Sequence, residues 1–164
     1  MRIVYSPGES IAALAPGFTV LVERSTDVQP LADALWTLAE GAPDIMALLD
    51  VLGRDGITSM PAFAAVMVHE SHFRIVVRGR YVVDLTRLDG TVETCSAEHV
   101  ATWSERAVAC EQVAHVRVHA GGASGGALLP ARSAVVTASC VEVALVEAPG
   151  ASHGEVIGLA SPII

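Results

Sequence analysis

The stretch "FAAVMVHESHFRIVVRGRYVVDL", residues 63–85, decides the fold. Three apolar runs, Phe63–Val68, Phe73–Val77 and Tyr81–Leu85, are separated by His69-Glu70-Ser71-His72 and by Gly79-Arg80. Each run is too short for a stable helix, and β-branched residues dominate, so each reads as a strand. Such short connections predict an antiparallel meander of these three strands. Further strand-like runs fall at 91–95, 113–119, 134–139 and 141–147, and two more near the start, at 2–5 and 18–24. Ser6-Pro7-Gly8 and Pro16-Gly17 punctuate the early part as turns.

Between residues 24 and 60 the period changes. Leu31, Leu35 and Leu38, with Trp36, recur at helical spacing, with Thr26 or Asp27 as the cap and Gly41 as the stop. Pro43-Asp44 opens a second helix with Ile45, Leu48, Leu49 and Leu52 on one face and Gly53 at its end. The reading is an α+β domain, an antiparallel β-sheet meander with a two-helix hairpin packed on it. That domain is expected over residues 1–148. Gly121 to Gly126 reads as a flexible Gly-rich loop, without the Lys-Ser/Thr that would make it a phosphate loop. Residues 149–164 read as a tail or the start of a linker, in which 155–159 offer one last strand.

With 164 residues, the chain is long enough for one well-filled domain. Its net charge is −8, from 18 acids and 10 bases, and every base is arginine. That balance argues against a nucleic-acid partner, which needs a basic face. No apolar run approaches the ~20 residues of a membrane helix, so no membrane insertion is expected. The first residues are broken by Pro7 and Gly8 and do not form a signal peptide, so the expected location is cytoplasmic. Cys95, Cys110 and Cys140 are odd in number and widely spaced, which points to buried reduced thiols.

Few residues offer chemistry. His69 and His72 raise a metal-dependent hydrolase with a neighbouring Asp as the alternative. On one strand, however, positions three apart face opposite sides, so a polar hairpin turn is the preferred reading. His99, His115 and His119 are further candidate ligands by number alone. Asp50, Asp55, Asp84 and Asp89 sit at turns or helix ends without an acidic motif. No cofactor and no metal is expected. Gly79-Arg80 followed by Ser96-Ala97-Glu98-His99 is similar to the phosphothreonine-reading pattern of forkhead-associated (FHA) domains. In that family the Arg and Ser hold the phosphate and the His props the loop, which makes Arg80, Ser96 and His99 the candidate phosphopeptide residues. The family pattern continues with an Asn, and this chain contains none. The plain alternative is that Arg78, Gly79 and Arg80 form a turn with solvated arginines. Trp103 is the one tryptophan outside the helices, either packed at an edge or exposed as an interaction anchor.

Three longer stretches carry a wider resemblance: Arg2-Ile3-Val4-Tyr5-Ser6-Pro7-Gly8, Met60-Pro61-Ala62-Phe63-Ala64 leading to Val76-Val77-Arg78-Gly79, and Thr102-Trp103-Ser104-Glu105-Arg106. Together they resemble the N-terminal domain of actinobacterial FHA domain-containing proteins, across nearly the whole chain. The resemblance implies the N-terminal module of a longer signalling protein, ending near a linker at Ser161-Pro162-Ile163-Ile164, with the phosphothreonine reader elsewhere. It carries over no functional residue. The expected function is therefore a non-catalytic protein-interaction or regulatory domain with a protein partner. Pairing of sheet edges offers a route to a homodimer.

Overall fold

The computed structural model describes residues 1–122 and 125–145. The tail at 149–164, with its last strand, and residues 123–124 of the Gly-rich loop lie outside them. Within them the chain forms β1 (Arg2–Ala15), β2 (Phe18–Val22), α1 (Val28–Glu40), α2 (Ile45–Leu52), β3 (Phe63–His69), β4 (His72–Arg78) and β5 (Val82–Arg87). Then come β6 (Val92–Ser96), β7 (Ser104–Ala109), β8 (Val113–His119), β9 (Leu129–Ala131) and β10 (Ala134–Ala144). All strand pairs are antiparallel, in the order β6-β5-β8-β10-β1-β2-β3-β4-β7, with β9 added beside β1. The architecture is mostly antiparallel sheet with two helices. Among the described residues, no helix is long and apolar enough to cross a membrane.

β1 and β10 form the spine. They pair over almost their whole lengths, but the register slips at Ser6, Pro7 and Ser10. Ser6-Pro7-Gly8 is therefore a bulged corner inside one strand, not the turn its composition suggests. Proline lacks an N–H to give the ladder and is tolerated in a sheet at such a bulge. Gly8 is required by close approach: a Cβ there would sit 2.3 Å from the Ser139 backbone nitrogen. Ser139 Oγ donates to the carbonyls of Ser6 and Pro7 at 3.4 and 3.2 Å, binding the corner to β10.

Beyond the corner the sheet curls around a single interior. Leu21, Ile75, Tyr81, Val83, Leu85 and Val118, drawn from both halves of the sheet, pack there together. The Tyr81 hydroxyl is 2.7 Å from the buried Ser10 hydroxyl, so neither polar group is stranded. The curl brings the terminal strands β6 and β7 side by side. Arg106 of β7 pairs with Glu93 of β6, and Glu93 also receives Arg87 at 2.6 Å. Hydrogen bonding from Arg87 comes first among the effects that hold the Glu93 carboxyl below its usual range, ahead of the charges of Arg87 and Arg106. Among the described residues, no backbone ladder joins β6 to β7. The two edges thus face each other across an ion-paired seam.

A second apolar cluster lies on the outer face of β1–β3. Phe18, Val20, Phe63 and Met67 meet Leu35 of α1 and Leu48 and Leu52 of α2 there. β2 is consequently buried on both faces, which explains why its residues are apolar apart from Thr19, itself buried. Burying each such leucine contributes about 1.5–3 kcal/mol. The helix ends follow the expected signals. Asp44 accepts the Ala47 amide at 2.7 Å, Gly41 and Gly53 end the two helices, and Asp27 stands at the first cap without a side-chain bond. The expected three-strand meander needs correction. β3 and β4 form a hairpin, but β4 continues to β7, whereas β5 pairs with β6 and β8. Gly79, at φ +72 and where a Cβ would lie 2.7 Å from the Ala62 Cβ, carries the chain from one side of the curl to the other.

Gly8→Ala forces a methyl group into the Ser139 backbone. Urea unfolding should show a loss of about 1–3 kcal/mol, the usual cost of overpacking. An unchanged midpoint would mean that the corner is not rigid.

Candidate functional site

The hairpin between β3 and β4 is the first feature to place. Its tip is the two-residue turn Glu70-Ser71, with Glu70 at φ +55, and the ladder pairs His69 directly with His72. The turn is as expected, but the reason for dismissing the histidines is not. They lie on two facing strands rather than on one, so their side chains share the outer face. Both are exposed, and Ser71 Oγ lies 3.2 Å from His72 Nδ1. Among the described residues, no group of three or more His, Cys, Asp or Glu side chains is placed to hold a metal ion.

Arg78 is not a solvated arginine. Its guanidinium donates to the carbonyls of Met60, Ala101, Thr102 and Ile57, at 3.3, 3.1, 2.6 and 3.0 Å, and ties two loops to the end of β4. Arg80 is exposed, 5.6 Å from the Tyr81 ring centroid and 4.0 Å from Glu23. It opens on a polar cleft of about 530 Å³ that holds Arg24 and Arg80 against Glu9 and Glu23. Ser96 stands exposed at the end of β6, opposite Val82, two residues along from Arg80. His99 is 92% exposed on its side chain and lies 3.9 Å from Glu98. These three share one end of the sheet, but neither Ser96 nor His99 lines the cleft at Arg80. Trp103 is half-buried and packs against the outer cluster.

The outer face of β5, β8 and β10 carries a polar network that the spacing of its residues does not reveal. Asp84 Oδ1 accepts the Thr94 hydroxyl at 2.7 Å, and Oδ2 lies 2.8 Å from His119 Nε2. The Gly121 amide donates to His119 Nδ1 at 3.1 Å. Since a carboxylate only accepts, His119 carries its proton on Nε2. Burial alone would raise the Asp84 carboxyl, but bonds from Thr94 and His119 and the charge of Arg117 leave it below its usual range. Arg117 Nε meets Cys140 Sγ at 3.3 Å, and Glu142 lies 3.7 Å from Arg117 and 3.2 Å from His115. Cys140 is directly across the ladder from His119, so cysteine, histidine and aspartate come together. Yet both imidazole nitrogens are occupied and the sulfur is buried, so the trio lacks a free base and an accessible nucleophile. Cys95 is buried too, and burial raises its thiol.

An apolar groove of about 830 Å³ lies between the α1–α2 connection and the β3–β4 hairpin. Pro43, Ile45 and Met46 form one wall, with Met67 and His69 opposite. Pro16 and Gly17 close one end, and Glu70, Arg74 and Glu105 lie along the rim. Met46 is 68% exposed, high for a large apolar group. A sequence signal existed for Met46. It sits off the stripe of Leu48 and Leu52, where a surface helix normally carries a polar residue.

Comparison with known proteins returns nothing: no family model, curated protein or solved structure matches the chain.

Asp84 supplies a pH test of the outer network. Its folded pKa is lowered, so its contribution to stability is present above the unfolded value of about 3.9 and fades as pH falls through the folded value. Asp84→Asn should cost about 1–3 kcal/mol at neutral pH by urea unfolding. It should also flatten the loss of stability that the unmodified protein shows on acidification below about pH 4. Parallel acid profiles for the two proteins would contradict the network.

Proposed function

We propose that this chain is a non-catalytic protein-interaction domain whose docking surface is the groove between the α1–α2 connection and the β3–β4 hairpin. One observation carries the reading: Met46 stands exposed on one wall of an apolar groove, facing Met67 and His69 of β3. Large apolar side chains gathered on a concave surface mark interaction sites far more often than scattered ones do. The occupant is a segment of a partner protein that presents apolar side chains to these walls. The closed state of the His119 network supports the same reading, because its hydrogen-bonding capacity is spent within the protein. The resemblance to N-terminal modules of FHA-containing proteins fits as well. In such a protein this groove would hold one client while a domain elsewhere reads phosphothreonine.

Selection of a random peptide display library on the immobilised protein tests the proposal. Binders with apolar anchors should be enriched, and Met46→Asp should abolish their binding without changing the melting temperature by more than a few degrees. Enrichment that is indifferent to Met46→Asp, or no enrichment at all, would overturn the reading.

A further inference from the structure

The rim of the groove carries a charge bias. Asp44, Glu70 and Glu105 line it against a single cation, Arg74. The three acids differ in how they are compensated. Asp44 caps α2 through the Ala47 amide, where the helix dipole offsets its charge. Glu105 lies 3.4 Å from Arg74 in an exposed pair, which is weak. Glu70 is exposed at the hairpin tip, with no ion pair to any described residue. The apolar walls are thus bordered by negative charge on a chain whose net charge is −8.

We propose that the segment filling this groove carries its apolar anchors next to lysine or arginine residues, whose cationic ends lie against Glu70 and Glu105. This rests on the docking reading above. The walls and the rim divide the work. Met46 is unbranched, polarisable and exposed, so it accepts anchors of different shapes and discriminates poorly among them. Choice between segments then falls to the rim, where an acidic flank meets like charge and a basic flank meets its complement. The charged contacts are exposed, so they act on encounter rate and orientation and weaken in salt.

The test uses the full chain and a peptide whose apolar core comes from the display selection, made with either arginine or glutamate flanks. Fluorescence anisotropy at about 0.05 M salt should show the arginine form binding at least ~10-fold tighter, with the gap narrowing several-fold at about 0.5 M. Glu70→Lys should narrow the gap at low salt, and Glu105→Gln should do so independently. Equal or tighter binding of the glutamate form would overturn the charge proposal while leaving the groove reading intact. So would a gap that neither variant changes. A selection that yields no core overturns both.

Discussion

The joint bend of β1 and β10 at Ser6–Gly8 is the constraint on which the rest of this structure depends. A flat pair of strands this long would leave both faces of the sheet to find cover. The corner avoids that by turning the sheet on itself, so one face packs against its own far side. It works only because Gly8 allows the Ser139 backbone to approach and because Pro7 has no amide to leave unpaired. The curl then brings β6 and β7 together, and Arg106 and Glu93 bridge the seam where the ladder stops. Two strand edges that face each other in this way present less unpaired backbone to a neighbouring molecule than an open sheet does.

The groove follows from the same geometry. Curling uses the inner face, and the helices have only the outer face of β1–β3 to cover. α1 and α2 do so with Leu35, Leu48 and Leu52, while the α1–α2 connection and the β3–β4 hairpin both project beyond that contact. Between them the apolar surface of Met46 is left open at one side. The opposite outer face, on β5, β8 and β10, is settled differently, by polar groups that bond one another. The two faces therefore differ in what they offer. One has its hydrogen bonds internally matched, and the other has apolar surface without a partner.

Much of this was legible in local sequence. Alternating apolar runs located β3 through β6 and β8 to within a few residues, and capping residues located both helices. What could not be read was pairing between distant segments. β4 takes β7 as its neighbour, and nothing near Thr102-Trp103-Ser104 announces a strand, since only Val108 of β7 is buried. Ser6-Pro7-Gly8 has turn composition but bulge geometry, a distinction made only by Ser139, over a hundred residues later. The same holds for the sites. His69 and His72 read as opposed on one strand and prove paired across two. Arg78 reads as solvated and instead clamps four carbonyls from separate loops. Asp84, His119 and Cys140 are adjacent only because β5, β8 and β10 are.

The central claim is that the groove, and not the polar face or the end that carries Arg80, receives the partner. Mapping amide chemical shifts while a selected peptide is titrated into the labelled chain tests this most directly. The account predicts perturbations concentrated at Gly17, Ala42, Ile45, Met46, Val68 and Glu70, with the amides of Asp84, Ser96 and His119 unmoved. Shifts centred instead on Arg80, Ser96 and His99, or on Asp84 and His119, would contradict it.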